Sequence, residues 1–301
     1  MGRISKINIK DLMKNILITG CSTGFGYDSA KYLAGKGHHV YASMRNINTK
    51  NSKATSELKE FGRTNKLKLD VLEIDVTSDE SVHNAALKLP TIDVLINNAG
   101  LGYGGPMEAF SSKEIMEQLD LNIVGTIRTT KAVLPGMRAK KSGLIIQVSS
   151  TAGRGAFPGF GVYHASKWGL EGMSEALRYE LAPLGIDVVL VEPGPFATSF
   201  FKNIVQPKDA EMAAAYQHIG AFMDGFGQQV ESIYADENAP TDPMIVVKIF
   251  EDLINMPAGS RPLRTIAGLD FGFQAINDAT EPIRRAGLAA MGLGDWDGPQ
   301  V

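Results

Sequence analysis

Tyr163 and Lys167 have the residue types and the spacing that proton transfer requires. They follow a loop rich in glycine and proline, residues 155–161, and residues four apart lie on the same face of a helix. A free phenol titrates near about 10, and a neighbouring ammonium favours the phenolate and would lower the pKa of Tyr163. Since general acid–base catalysis needs a group that titrates near the working pH, the pair predicts a proton-transfer site. A chance pairing on a structural helix is the alternative.

A glycine-rich turn stands between an apolar run and a helical stretch near the start of the chain. The run 15–19 stops at Gly20 and predicts a buried parallel strand, and Gly24 and Gly26 follow before the helix. Glycines at this place let the backbone approach a pyrophosphate, which the free N–H groups of the helix N-terminus would stabilise. A tight turn without a ligand is the alternative.

The end of the second predicted strand bears on the choice of cofactor. Residues 39–44 form this strand, and Met44-Arg45 close it with no acidic residue. In dinucleotide folds a carboxylate here grips the ribose 2′-OH, whereas an arginine accommodates a 2′-phosphate. Arg45 therefore favours NADP(H) over NAD(H), and a solvated surface arginine is the alternative.

Strands and helices alternate along most of the chain. Further strands are predicted at 67–74, 93–96, 144–148, 187–191 and 263–267, and helices at 52–60, 78–89, 111–135, 163–181 and 243–255. The pattern predicts an α/β fold, a single Rossmann-like doubly wound domain over residues 15–270, with a parallel sheet of about seven strands and helices on both faces. Ligands bind beyond the carboxyl ends of such strands, where all of these loops lie.

Composition excludes several classes of function. The chain has 301 residues, 44% of them hydrophobic, and a net charge of -3 that provides no basic field for nucleic acid. Cys21 is its single cysteine, so no internal disulfide and no metal site are expected. No apolar run approaches the roughly 18 residues of a spanning helix, and the first residues lack the apolar stretch of a secretory signal. A cytoplasmic protein with no membrane span is expected.

Three segments lie outside the regular alternation. Residues 1–14 are predicted to be an N-terminal extension, and residues 196–240 a lid over the substrate. The lid contains Phe196, Phe200 and Phe201, followed by a helical stripe of Met212, Tyr216, Ile219, Met223 and Phe226. The stripe forms either an apolar wall for a lipophilic substrate or a helix that simply packs on the body. The C-terminal extension, 271–301, closes the site or forms a subunit contact, and the sequence leaves both roles open.

With these residues identified, the chain resembles the short-chain dehydrogenase/reductase family over roughly residues 15–270. The T-G-x-x-x-G-x-G loop of the family matches at Gly20, Gly24 and Gly26, and its Y-x-x-x-K pair matches at Tyr163 and Lys167. Three further features match: N-N-A-G at residues 97–100, the helix asparagine at Asn122 and the P-G turn at Pro193-Gly194. The family serine stands thirteen residues before the tyrosine, which selects Ser150 and not Ser149.

The resemblance implies a role for each matching residue. Tyr163 would transfer the proton, Lys167 would lower its pKa and hold the nicotinamide ribose, Ser150 would bind the substrate oxygen, and the Asn122 region would anchor a water. The cofactor residues implied, besides Tyr163 and Lys167, are Gly20, Ser22, Thr23, Gly24, Phe25 and Gly26 for the pyrophosphate, Arg45 for the 2′-phosphate, Asp75 and Val76 for the adenine, Pro193 and Gly194 for the nicotinamide face, and Asn98, Ala99 and Gly100.

The expected function is an NADP-dependent oxidoreductase that interconverts a carbonyl and an alcohol by hydride transfer. Its partner is a small-molecule substrate, either a small carbonyl compound or a lipophilic, steroid- or retinoid-like one, and a homodimer or homotetramer is expected. A non-catalytic nucleotide sensor or interaction protein on the same fold is the alternative. The complete set Asn122, Ser150, Tyr163 and Lys167 favours the enzyme, because a sensor has no physical need for a proton relay.

Overall fold

Seven apolar segments form one parallel sheet in the computed structural model, which describes residues 13–300. The strands are β1 Asn15–Thr19, β2 His39–Met44, β3 Leu69–Glu73, β4 Val94–Asn97, β5 Gly143–Val148, β6 Ile186–Pro193 and β7 Arg264–Ala267. Their order across the sheet is β3-β2-β1-β4-β5-β6-β7. The predicted doubly wound α/β architecture is confirmed. Residues 1–12 of the predicted N-terminal extension lie outside the described residues.

The order of the strands reverses at β1. This strand pairs with β2 on one side and with β4 on the other, so that Ile18 lies between Ala42 and Ile96. In open α/β sheets the crevice beyond the carboxyl ends at such a point is where ligands bind. The turns after β1 and β4 meet at this crevice, and the predicted site residues of both therefore come together.

Helices connect the strands, and several of them begin at glycine or directly after a capping side chain. They are α1 Gly24–Gly35, α2 Ser52–Thr64, α3 Asp79–Ala86, α4 Ser112–Leu119, α5 Gly125–Lys140, α6 Gly161–Leu181, α7 Ala210–Ala215, α8 Gln217–Ala235, α9 Met244–Asn255 and α10 Phe273–Ala290. Ser78 caps α3 by accepting from the Ser81 N–H. Ser111 and Glu114 form a capping box at α4.

Each strand contributes side chains to both faces of the sheet. Ile16 and Ile18 belong to a cluster that includes Phe250 of α9. Leu17, between them, belongs to the opposite cluster with Met137 of α5. All five side chains are essentially fully buried. Burial on both faces is why β1 is a continuous apolar run rather than an alternating one.

The predicted helix 111–135 is wrong in its continuity and in its end. The structure has α4, a π-helical turn at Asp120–Val124, and then α5, which continues past Pro135 to Lys140. Pro135 removes one backbone donor, but Leu134 and Met137 are buried on either side of it, and that packing keeps the helix intact. The π turn contains Asn122. Such turns mostly occur as single bulges inside helices, frequently at functional sites.

Residues beyond β6 also depart from expectation. The predicted stripe through Met212 and Phe226 is not one helix, because Tyr216 leaves the helical conformation and separates α7 from α8. The C-terminal extension, for which no element was predicted, contains α10. Among residues 13–300, no helix is both long and apolar enough to cross a membrane.

Candidate active site

The glycine turn after β1 forms one wall of the site. Gly20 and Gly24 have φ of 73° and 57°, in the left-handed region that favours glycine. A Cβ on Gly26 would lie 2.6 Å from the Gly20 carbonyl oxygen, so only glycine allows this close packing of α1 on β1. Thr23 makes no side-chain cap, and the first turn of α1 has no acidic residue. The free N–H groups at the N-terminus of α1 can therefore donate hydrogen bonds to an anion.

Thr19 joins the glycine turn to the N-N-A-G segment. Its Oγ1 accepts hydrogen bonds from the backbone N–H groups of Asn98 and Ala99, both at 3.0 Å. The Asn98 Nδ2 donates in return to the Thr19 and Gly20 carbonyls, at 2.9 and 3.2 Å. Thr19 was not among the predicted site residues, although its place directly before the glycine turn was a usable signal.

Arg45 lies exposed at the carboxyl end of β2, with two polar neighbours that the sequence did not single out. The Asn51 Nδ2 donates to the Arg45 carbonyl at 2.6 Å, and Lys50 lines the same part of the cavity. Asp75 and Val76 line it after β3. Two cations and an amide are thus available for a phosphate, and they lie close to the predicted adenine segment.

Tyr163 lies in the first turn of α6 and is 8% exposed. Its ring centroid is 5.5 Å from that of Phe200. Burial raises the pKa of Tyr163 to about 12, and a hydrogen bond with the Ser150 side chain opposes the shift. The expected lowering of this pKa by Lys167 is not seen, because loss of solvation dominates and the opposing effect is that of the Ser150 hydrogen bond.

Lys167 lies on the same face of α6, as the spacing predicted. Its Nζ is 5.8 Å from the Tyr163 ring centroid and donates to the Val148 carbonyl at 2.8 Å. Burial lowers the pKa of Lys167 to about 8, while the Glu171 carboxylate opposes the change. The Val148 carbonyl, which no side-chain motif could have indicated, holds the ammonium beside the end of β5.

Ser150 connects the ends of two strands. Its Oγ accepts from the Ala152 N–H at 3.1 Å and donates to the Pro193 carbonyl at 3.3 Å. The side chain therefore lies between Tyr163 and the turn after β6. Ser149 Oγ is buried and has no hydrogen-bond partner among the described residues. Of the two serines, Ser150 is the one whose hydrogen bond opposes the rise in the pKa of Tyr163.

Asn122 does not line the cavity but supports two elements that do. Its Nδ2 donates to the Leu101 carbonyl and the Ser166 hydroxyl, both at 3.0 Å, and its Oδ1 accepts from the Leu101 N–H at 3.2 Å. Ser166 Oγ donates in turn to the Tyr163 carbonyl at 2.6 Å. The π turn thus aligns the loop after β4, which contains Leu101, with α6, the helix that carries Tyr163.

The predicted residues surround one cavity of about 670 Å³. Those that line it are Gly20, Ser22, Thr23, Gly24, Phe25, Arg45, Asp75, Val76, Asn98, Ala99, Gly100, Ser150, Tyr163, Lys167, Pro193 and Gly194. Gly26 and Asn122 lie behind its walls. The volume is within the range of cofactor and ligand pockets. The cavity contains the uncapped N-terminus of α1, two basic side chains at Arg45 and Lys50, and an apolar part. This combination fits a dinucleotide.

Aromatic rings from three segments form the apolar end of the cavity, and the sequence indicated only those of the predicted lid. The rings are Phe157, Phe160, Phe200, Phe201, Phe226 and Phe271. Phe157 and Phe160 come from the loop before α6, and Phe271 comes from the C-terminal extension. Phe271 has a φ of 51°, a strained value for an aromatic residue. Nothing in the periodicity of these segments indicated that they meet.

The C-terminal extension is also tied to the strand that precedes Pro193. Asn277 of α10 donates from Nδ2 to Glu192 Oε2 at 2.5 Å, and Glu192 is fully buried. Burial, together with the nearby Glu171 carboxylate, raises the pKa of Glu192 to about 8. Arg264 of β7 lies 3.5 Å from Glu192 Oε1. The extension therefore closes one side of the site within its own chain.

A doubly wound sheet, a glycine turn at the helix end and a tyrosine–lysine pair in one cavity define a dinucleotide-binding protein. The chain belongs to the short chain dehydrogenase family, whose family model matches residues 14–209. Among residues 13–300, no group of three or more His, Cys, Asp and Glu side chains could hold a metal ion.

Two curated relatives illustrate the range of the family. The chain is 42% identical over 192 residues to the 3-ketodihydrosphingosine reductase of Bacteroides thetaiotaomicron, covering 62% of this chain and 66% of that protein. It is 39% identical over 191 residues to human (Homo sapiens) retinol dehydrogenase 8, covering 62% of this chain and 60% of that protein. The matched segment spans slightly less than two thirds of either relative.

A solved structure gives the same picture of the fold. The closed form of a serine dehydrogenase complexed with NADP+ superposes with a TM-score of 0.69 at 26% identity. The superposition covers 85% of this chain and 94% of the serine dehydrogenase.

Proposed function

We propose that the protein interconverts a carbonyl compound and the corresponding alcohol with NADP(H) as the cofactor. The observation that carries this proposal is that Ser150, Tyr163 and Lys167 line one cavity, with the Lys167 Nζ 5.8 Å from the centroid of the Tyr163 ring. A bound nicotinamide would supply or accept the hydride. The protein would supply binding, orientation and the proton.

The cofactor would be held by backbone and by cations. The N-terminus of α1 would bind the pyrophosphate, and Arg45 with Lys50 would bind a 2′-phosphate. Lys167, held by the Val148 carbonyl, would contact the nicotinamide ribose, and Pro193-Gly194 would form the face beneath the ring. The serine dehydrogenase that superposes on this chain was solved with NADP+, which supports the same choice of cofactor.

The proton would move at the Tyr163 oxygen. With its pKa raised, Tyr163 keeps its proton at neutral pH and is ready to donate it to a carbonyl that is being reduced. Ser150 would hold the substrate oxygen against the phenol. Lys167 would stabilise the negative charge that develops on the phenol oxygen during the transfer. Asn122 would act from behind by aligning Leu101 with the tyrosine helix, and its role in anchoring a water stays a prediction.

The substrate would be an apolar ketone or alcohol. Six phenylalanine rings line the end of the cavity beyond Tyr163, and they offer contact area with few polar groups. The relatives named for ketodihydrosphingosine and for retinol carry names of lipophilic molecules, which supports this class. A small carbonyl compound would reach Tyr163 but would leave most of the rings without contact.

The substitution Tyr163→Phe tests the activity directly. It removes the proton donor and keeps the ring, so turnover of the best ketone should fall by about 10²–10⁴-fold while NADPH still binds. Steady-state rates and fluorescence titration of NADPH measure the two quantities. Ser150→Ala should lower turnover as well, and the double variant should lose less than the sum, because the residues act as one unit.

The alternative function, a non-catalytic nucleotide sensor, predicts a different result. A wild-type protein that binds NADPH and reduces nothing across a broad panel of ketones and aldehydes would favour the sensor. A Tyr163→Phe variant with near wild-type turnover would instead overturn the proposed proton donor while leaving the oxidoreductase in place.

A further inference from the structure

His164 occupies a buried position directly after the catalytic tyrosine. Only 4% of its surface is exposed, and both ring nitrogens contact the loop that precedes α6. Nδ1 lies 2.9 Å from the Ala152 carbonyl oxygen, and Nε2 lies 2.9 Å from the Phe157 backbone nitrogen. The imidazole therefore bridges the two ends of the loop segment 152–157.

These two partners determine which nitrogen carries the proton. A backbone N–H can only donate, so Nε2 must accept from Phe157. The proton then resides on Nδ1, which donates to the Ala152 carbonyl. His164 is consequently a neutral imidazole with one defined tautomer, and burial, which lowers its pKa, favours the same neutral form.

Phe157, the residue held by Nε2, is the centre of the aromatic end of the cavity. Its ring centroid lies 6.5 Å from Phe226 of α8, 6.4 Å from Phe271 and 6.1 Å from Phe273 of α10. The loop, the lid helix and the C-terminal extension therefore meet at this one ring. A shift of the Phe157 backbone would move the wall that all three segments form.

We propose that His164 is a positioning residue for substrate specificity. Its Nε2 fixes the Phe157 backbone, and through it the aromatic wall, at the distance from Tyr163 that suits a bulky apolar ketone. This inference rests on the proposed function. A ketone too small to reach the wall does not depend on His164, whereas a two-ring ketone does.

Two amide substitutions separate the contacts of the imidazole. The Gln amide reaches the place of Nε2, so the Oε1 of His164→Gln can accept from Phe157. The Asn amide reaches only the place of Nδ1, so His164→Asn keeps a donor for Ala152 and leaves the Phe157 N–H without an acceptor. The matched pair therefore tests the tether to Phe157 and not merely the presence of a polar side chain.

Steady-state kinetics with NADPH should distinguish a two-ring ketone, acetylnaphthalene, from cyclohexanone. His164→Asn should raise KM for acetylnaphthalene by about tenfold. The kcat of His164→Asn for both ketones and its KM for cyclohexanone should stay within about twofold of the wild-type values, a difference of about 0.4 kcal/mol. His164→Gln should recover most of the KM. The proposal would be overturned if His164→Asn raised KM equally for both ketones. It would also be overturned if KM for acetylnaphthalene were as high in His164→Gln as in His164→Asn.

A measurement independent of turnover keeps the two proposals distinguishable. Hydrogen exchange of the Phe157 amide should be faster in His164→Asn than in wild type and close to wild type in His164→Gln. NMR of nitrogen-labelled histidine should show the neutral Nδ1–H tautomer in the wild type. Unchanged exchange in His164→Asn, or an Nε2–H tautomer, would refute the tether even if both ketones are reduced. Absence of reduction with the expected exchange pattern would refute only the proposed activity.

Discussion

At the scale of residues, the proposed preference for NADP(H) rests on Arg45 and its neighbours. The side chain is exposed at the carboxyl end of β2, Asn51 holds its backbone carbonyl, and Lys50 lines the same end of the cavity. No carboxylate side chain ends β2, since its last residue is Met44. A 2′-phosphate placed here would meet two cations.

Replacing Arg45 should therefore change the selectivity for NADPH. Arg45→Ala should weaken NADPH binding by about ten- to a hundredfold and leave NADH nearly unchanged, because only the former carries the phosphate. Fluorescence titrations measure both. Lys53, whose side chain is 90% exposed and which does not line the cavity, provides the control Lys53→Ala. An equal preference for the two cofactors in wild type and Arg45→Ala would contradict this assignment.

At the scale of elements, the lid segment divides its apolar residues between two tasks. Met223 packs on the body: a Cβ added to Gly104 or Gly159 would lie 2.8 Å from its side chain. Phe226, one turn later on α8, lines the cavity, with its ring centroid 5.9 Å from Phe160. Within the stripe, Met223 therefore packs on the body and Phe226 lines the cavity, and contact of Phe226 with a lipophilic substrate stays a prediction.

The two tasks should separate in matched variants. Phe226→Ala should raise KM for a bulky apolar ketone several-fold, since it removes part of the aromatic wall. Met223→Ala should lower the free energy of unfolding by about 1–2 kcal/mol, less than for a fully buried methionine, because Met223 is half-buried. Met116, which is 62% exposed and does not line the cavity, supplies the control Met116→Ala. Kinetics and urea unfolding measure these effects; a KM effect of Met223→Ala as large as that of Phe226→Ala would argue against the division.

For the molecule as a whole, a buried ion network joins the last described residues to the sheet. Asp187 at the start of β6 is fully buried and pairs with Arg178 at 2.7 Å and Arg261 at 3.0 Å. Arg178 also pairs with Asp297, which Arg284 of α10 contacts at 2.8 Å. The network lies at the amino end of β6, whereas the candidate active site lies at the carboxyl end. It stabilises the C-terminal extension without contributing to the cavity.

Removing the shared acid should destabilise the whole chain. Asp187→Ala leaves Arg261 buried without its carboxylate partner and Arg178 with Asp297 alone, and it should lower the free energy of unfolding by roughly 3–5 kcal/mol. Urea unfolding measures the change, and NADPH should bind normally at temperatures where the variant is folded. Lys53→Ala should leave the unfolding midpoint where it is in the wild type. A midpoint for Asp187→Ala equal to that of the wild type would show that the network contributes little.

Short-range patterns in the sequence sufficed for the strands, the glycine turn and the Tyr163–Lys167 pair. Apolar runs and the helical period are local properties, and a spacing of four places two side chains on one helix face whatever surrounds them. Because the predicted strands are parallel, the loops after their carboxyl ends meet at one edge of the sheet, and residues of these loops line one cavity. Helix ends such as that of α5 were less predictable, because packing around Pro135 overrides its local preference.

Only the tertiary structure decided which distant segments complete the site and how its groups titrate. Phe271 joins Phe157 because α10 docks on the end of β6 through Asn277, a contact between segments 85 residues apart. The raised pKa of Tyr163 depends on its burial among elements that the local pattern does not relate. Solvation and packing are properties of the assembled surface, so the sequence determined the chemistry available, and the fold determined its electrostatics and the shape of the pocket.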